Sequence, residues 1–143
     1  VPICGKDTLP FNPYGKFLIQ DASSGRYVAA SSANTNLIAS AADISGAATF
    51  NSSFVPNSGT LQLMSTREFV TADQSGNFTL SATRSIPSSW ETFVIRQKIG
   101  AAAGVYSIKA ASNGLYVTIS GDGSLINNGK NEAASSGFKF SNS

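Results

Sequence analysis

One segment of this chain recurs with its pattern of residue types intact, and that recurrence restricts the fold more than any other feature. Phe17-Leu18-Ile19-Gln20-Asp21-Ala22-Ser23-Ser24-Gly25-Arg26-Tyr27-Val28 lies without a gap over Tyr106-Ser107-Ile108-Lys109-Ala110-Ala111-Ser112-Asn113-Gly114-Leu115-Tyr116-Val117. Between them, Leu61-Gln62-Leu63-Met64-Ser65-Thr66-Arg67-Glu68-Phe69-Val70 fits if its turn is two residues shorter. Downstream anchors follow in order. Leu37, Phe78 and Leu125 come eight or nine residues after the valine, and Phe50, Phe93 and Phe138 close the three copies. Three units of about forty residues result, at 16–57, 58–100 and 101–143, behind an N-terminal arm at 1–15.

Within each unit the apolar residues alternate with polar ones over short runs separated by Gly, Ser and Asn, the pattern of half-buried strands. No window carries apolar residues at helical spacing between a cap and a stop. Four short strands alone would leave open edges and one bare apolar face. Three such units solve both problems by closing six strands into a barrel and capping it with three hairpins. Ile19, Leu63 and Ile108 are then expected to point inward with Val28, Val70 and Val117. Strand alternation turns Tyr27, Phe69 and Tyr116 the other way. Gly25 and Gly114 fall where the first hairpin reverses, which requires a positive φ.

The motif of apolar-x-apolar, turn, Gly-x-Tyr-Val, a second turn, then a late aromatic resembles the fascin-like (actin-crosslinking) branch of β-trefoils from Lys16 onward. The resemblance implies an all-β, β-trefoil fold with three pseudo-repeats of about four strands each. It also makes the chain similar to carbohydrate-binding trefoil modules of secreted fungal glycoside hydrolases. The Gln-x-Trp signature of ricin-type lectin trefoils is missing, since the single tryptophan is Trp90 in Ser88-Ser89-Trp90-Glu91. Trefoil protease inhibitors share the architecture and act through an exposed loop, but no local motif ties this chain to them. Fold by itself does not settle activity.

Composition narrows the chemistry. The chain has no histidine and one cysteine, Cys4. A histidine-based triad is therefore impossible, an internal disulfide cannot form, and neither a metal nor a cofactor is implied. Charged residues are 13% of the chain and the net charge is +2, with Lys and Arg scattered, so no basic stripe for nucleic acid is present. No apolar run approaches the ~20 residues of a membrane span. Low charge, abundant Ser, Thr, Asn and Ala, and a Val1-Pro2 start point to a secreted, extracellular protein whose leader has been removed. Asn51-Ser52-Ser53 and Asn77-Phe78-Thr79 are acceptor patterns for N-glycosylation, the mark of a glycoprotein. Cys4 is either inert or bonded to a partner outside this domain, and a linked catalytic domain is a further expected partner.

Sugar recognition needs an aromatic face for pyranose C–H groups and planar amides or carboxylates for hydroxyls. The second unit offers Asp73, Gln74 and Asn77 in one polar turn, with Trp90 and Glu91 following. The third offers Asp122 in Gly121-Asp122-Gly123, then Asn127 and Asn128. A carboxylate pair for glycoside hydrolysis stays open among Asp21, Asp43, Asp73, Asp122, Glu68, Glu91 and Glu132. No acid recurs at one position in all three units. The expectation is a binding protein, acting on a glycan or polysaccharide with no bond chemistry. A trefoil protease inhibitor and a glycoside hydrolase are the alternatives.

Overall fold

A computed structural model describes residues 16–31, 36–52, 58–72, 78–102 and 104–142. The N-terminal arm with Cys4, and the turn holding Asp73, Gln74 and Asn77, lie outside the described residues. Twelve strands make up the described chain. They are β1 (Phe17–Asp21), β2 (Tyr27–Ala30), β3 (Leu37–Ala41), β4 (Phe50–Ser52), β5 (Ser58–Leu63), β6 (Phe69–Ala72), β7 (Leu80–Arg84), β8 (Thr92–Gln97), β9 (Tyr106–Ala110), β10 (Tyr116–Ile119), β11 (Leu125–Gly129) and β12 (Phe138–Asn142).

Antiparallel pairing runs β1–β4–β5–β8–β9–β12 and returns from β12 to β1, so six strands close a barrel with no free edge inside the ring. The remaining strands form three hairpins, β2–β3, β6–β7 and β10–β11. Their far ends meet around an axis through single bridges, Asn36 to Ser81, Thr79 to Ile126 and Ser124 to Ile38. Each bridge links one unit to the next, and the third returns to the first. Closure by pairing and closure by bridges both need all three copies.

The core follows strand alternation. Phe50, Phe93 and Phe138 are fully buried, and each pairs with the first barrel strand of a unit at Phe17, Gly59 or Tyr106. Phe140 packs edge-on to both Phe17 and Tyr106, with ring centroids 5.9 and 5.8 Å away. Val28, Val70 and Val117 are buried, while Tyr27, Phe69 and Tyr116 are half-buried on the outer side.

Two sequence expectations change. The first hairpin turn is not shorter in the second copy. Cross-strand partners are Gln20 with Tyr27, Gln62 with Phe69 and Lys109 with Tyr116, one equal spacing in each. The same turn bonds recur: Gly25 N–H to Asp21 O, Arg67 N–H to Leu63 O, and Gly114 N–H to Ala110 O, at 2.9, 2.8 and 2.9 Å. Arg67 therefore occupies the glycine position and takes its left-handed conformation, with φ +64° beside +79° and +71°. Leu61, not Leu63, is the equivalent of Ile19 and Ile108, although both leucines are buried. The second change lies in the capping hairpins. Ala30, Ala72 and Ile119 pair with Leu37, Leu80 and Leu125, so Leu80 is the buried anchor and Phe78 is half-buried at φ +63°.

Candidate functional site

Asp122 sits at the tip of the β10–β11 hairpin. Its Oδ1 accepts from the Ser120 hydroxyl and, at 3.0 Å, from the Ser124 N–H. These bonds favour the ionised form and hold its pKa at about 2, below the ordinary 3.8. The turn closes through Ser120 N–H to Ser124 O and Gly123 N–H to Ser120 O, both 2.9 Å. Gly123 is required for two reasons: φ is +91°, and a Cβ there would meet the Ala39 carbonyl oxygen at 3.1 Å. That close approach lets the Gly123 carbonyl accept from Ala39 N–H at 2.7 Å, which fixes the third unit's tip against the first unit's β3.

The facing wall is the β1–β2 turn. Asp21 is buried, and its two oxygens organise that turn by accepting from Ser23 N–H at 3.0 Å and Ser24 Oγ at 2.7 Å. Arg26 follows and is exposed, with one guanidinium N–H reaching the Ser40 carbonyl at 3.4 Å. Between the walls lies an open cleft of about 310 Å³, lined by Asp21, Ser24, Arg26 and Ser40 on one side and by residues 119–123 on the other. The ionised Asp122 carboxylate supplies acceptors, while the exposed Arg26 guanidinium supplies donors; the Ser24 hydroxyl is committed to Asp21. A carboxyl held at a pKa of about 2 is not a proton donor near neutral pH, so Asp122 accepts hydrogen bonds rather than acting as a general acid.

The other expected residues divide. Trp90 is half-buried in a one-turn helix, Ser89–Glu91, with the Arg84 guanidinium 5.8 Å from its ring centroid. Glu91 is buried, and its Oε1 accepts from Ser88 N–H and Ser88 Oγ at 2.8 and 2.9 Å. It caps its own turn and faces away from solvent, so it is not an exposed partner for Trp90. Asn127 is fully buried, donating to Leu115 O and accepting from Asn113 Nδ2, both at 2.7 Å. It fills the place held by Ala39 and Ala82 in the other hairpins, where its amide braces the structure instead of meeting a ligand. Asn128 is exposed, its Oδ1 accepting from Thr118 Oγ1 at 2.6 Å. Asn51 is half-buried in β4 opposite Gln62. The sequence shows Arg26 only as one of the scattered basic residues and Ser24 only as part of a polar turn; nothing local signals that they face Asp122, which lies far along the chain.

Three four-stranded units, a closed six-stranded barrel and three capping hairpins define a β-trefoil, and the cleft lies between the first and third units. No protein-family model and no curated protein matches the chain. Solved structures do. A designed three-fold symmetric protein, ThreeFoil, superposes with a TM-score of 0.71 at 11% identity over 88% of this chain and 97% of its own. A GH43 β-1,3-galactosidase superposes with a TM-score of 0.70 at 18% identity, over 91% of this chain. A Polyporus squamosus lectin bound to a sialylated glycan epitope gives 0.68 at 14% identity, again over 91%. The chain spans 27% of the galactosidase and 49% of the lectin.

Proposed function

We propose that this chain is a carbohydrate-binding β-trefoil that recognises glycan hydroxyls in the Asp122–Arg26 cleft and makes or breaks no bond. The observation that carries the reading is the pairing of an ionised, solvent-facing carboxylate with an exposed guanidinium across an open polar cleft. A pyranose offers adjacent hydroxyls that can donate to the first and accept from the second. The cleft is shallow, which suits recognition of a chain end or side branch. Trp90, with the Arg84 guanidinium 5.8 Å from its ring centroid, provides a separate half-exposed aromatic surface on which a longer polysaccharide could stack. Likeness in fold to a glycan-bound lectin and to part of a galactosidase supports the same reading. A fascin-like subtype, secretion, glycan attachment at Asn51 or Asn77, and attachment to a polysaccharide-active enzyme belong to this proposal.

A glycan array and a polysaccharide pull-down with the folded chain test it. The expected result is retention by at least one glycan, weakened about tenfold or more by Asp122→Asn, because a charge-assisted acceptor is lost. Trp90→Ala should reduce retention of long polysaccharide more than of short oligosaccharide. No retention on any glycan by correctly folded protein, together with nanomolar inhibition of a protease, would replace this reading with the inhibitor alternative.

A further inference from the structure

The outer face where β8, β9 and β10 meet carries a second cleft, of about 120 Å³, with Arg96, Lys109, Tyr116 and Glu132 in its lining. Strand register sets the geometry. Val94 pairs with Lys109 and Arg96 with Ser107, so Arg96 and Lys109 are diagonal neighbours on one face of the antiparallel pair. Such neighbours stand roughly 7–8 Å apart, and like charges in that relation repel. Tyr116 pairs with Lys109 on its other side, and the Lys109 ammonium lies 5.8 Å from the Tyr116 ring centroid. Arg96 is exposed, and Lys109 and Tyr116 are half-exposed.

Neither cation has a carboxylate partner among the described residues. Glu132 is the one acid in the lining; its Oε2 accepts from Ile99 N–H at 3.1 Å, and its backbone carbonyl accepts from Lys98 Nζ at 3.0 Å, so it forms no ion pair with either cation and leaves the cleft with an excess of one positive charge. Gln97 is likewise committed, donating to Ala102 O at 2.9 Å and accepting from Gly104 N–H at 3.1 Å. Comparison with the other units shows what is particular here. The equivalents of Tyr116 are Tyr27 and Phe69, so an aromatic recurs at all three positions. The equivalents of Lys109 are Gln20 and Gln62, each of which donates to its own turn, at Gly25 O and Arg67 O. No such turn bond is made by Lys109, whose ammonium lies over Tyr116 in the lining of the cleft. The residue equivalent to Arg96 in the third unit is Ser141. Two cations without an ion-pair partner beside an aromatic ring are thus particular to this cleft among the described residues.

We infer that this cleft is an anionic-saccharide site, distinct from the Asp122 cleft, in which Arg96 and Lys109 together hold a uronate carboxylate or a sulfate ester while Tyr116 and the exposed Ile99 border the sugar ring. The anion relieves the repulsion between the two cations, and the planar guanidinium can take it in two-point fashion. Ile99, 81% exposed, gives the rim an apolar edge against which pyranose C–H groups can rest.

Calorimetric titration tests the inference with three probes of equal length: an oligogalacturonate, a sulfated galactose oligomer and a neutral galactose oligomer. At least one acidic probe should bind more tightly than the neutral one, with affinity falling as salt is raised, and the carboxylate and sulfate arms separate the two anions. Arg96→Gln and Lys109→Gln should each lower that affinity about tenfold, whereas Asp122→Asn should keep the salt-dependent preference for the acidic over the neutral probe. Because both variants are at surface positions, circular dichroism should show an unaltered fold. Amide shifts on titration should concentrate at residues 94–99 and 107–117. Equal binding of acidic and neutral probes would overturn the inference, as would full acidic affinity in the double variant. So would equal affinity for an oligonucleotide of matched charge, which would reduce the cleft to a general anion sink. Loss of neutral-glycan binding in Asp122→Asn with acidic binding intact separates this site's fate from that of the proposed Asp122 cleft.

Discussion

Replacing Gly123 by alanine tests how the third hairpin is held against the first unit. The residue has φ +91°, and an added Cβ would lie 3.1 Å from Ala39 O and 3.2 Å from Ile38 Cγ2. Holding an L-residue in the left-handed region costs about 1–2 kcal/mol. Disturbing the 2.7 Å bond from Ala39 N–H to Gly123 O adds about 0.5–1.5 kcal/mol. The stiffer unfolded chain returns about 0.4–1 kcal/mol. The net expectation is a loss of about 0.5–3 kcal/mol. Gly114→Ala supplies the control for strain alone, since Gly114 has φ +71° but nothing within 4 Å of an added Cβ. Gly121→Ala controls for the substitution itself, with open space and no positive φ, and should fall within about 0.5 kcal/mol of the parent. Urea unfolding of the three variants, with m-values compared, measures each loss. Gly123→Ala should be the most destabilised, by about 1 kcal/mol beyond Gly114→Ala. If it is no worse than Gly114→Ala, close approach to β3 is not what demands glycine there.

Two further outcomes follow from single side chains. Asn127→Ala should cost about 1–3 kcal/mol in the same unfolding assay. The shape is tolerated, as Ala39 and Ala82 show, so the loss comes from leaving Leu115 O and the Asn113 amide without their partner; a loss under about 0.5 kcal/mol would refute that account. The Asp122 carboxyl has a folded pKa of about 2, depressed from 3.8. Its contribution to stability is therefore complete above the unfolded value and is lost as pH falls through the folded one. Glycan retention in its cleft should be level from neutral pH to about 4 and decline toward about 2. A carboxyl carbon titration followed by NMR checks this directly, and a midpoint at or above 3.8 contradicts the turn geometry.

Where sequence reading erred, it erred by two residues. Leu61-Gln62-Leu63 is apolar, polar, apolar, and so is Phe78-Thr79-Leu80. A slip of one residue would send each leucine to the wrong face, but a slip of two preserves the face and leaves the pattern satisfied. Only the turn bonds discriminate between registers, and in the second unit the diagnostic glycine is replaced by Arg67 in the same left-handed conformation. Glu91 and Asn127 illustrate a different limit. Both read as sugar-contacting polar residues, yet both are buried with hydrogen bonds met inside the protein: Glu91 by Ser88, and Asn127 by Asn113 and Leu115.

Taken by itself, the sequence determined three copies of one strand pattern, the recurring phenylalanines and valines that the core buries, and the absence of histidine chemistry. Those are properties of local order and residue type, and alternation on a pleated strand converts them into an inside and an outside. The tertiary structure alone decided which surface groups meet. Asp122 faces Arg26 because the third capping hairpin closes back on the first, and Arg96 stands beside Lys109 because β8 of one unit pairs with β9 of the next. Barrel closure joins residues distant in the chain by backbone bonds whose donors and acceptors are the same for every side chain. Residue identity could therefore locate the scaffold, while the neighbours that make a site came from the way the ring shut.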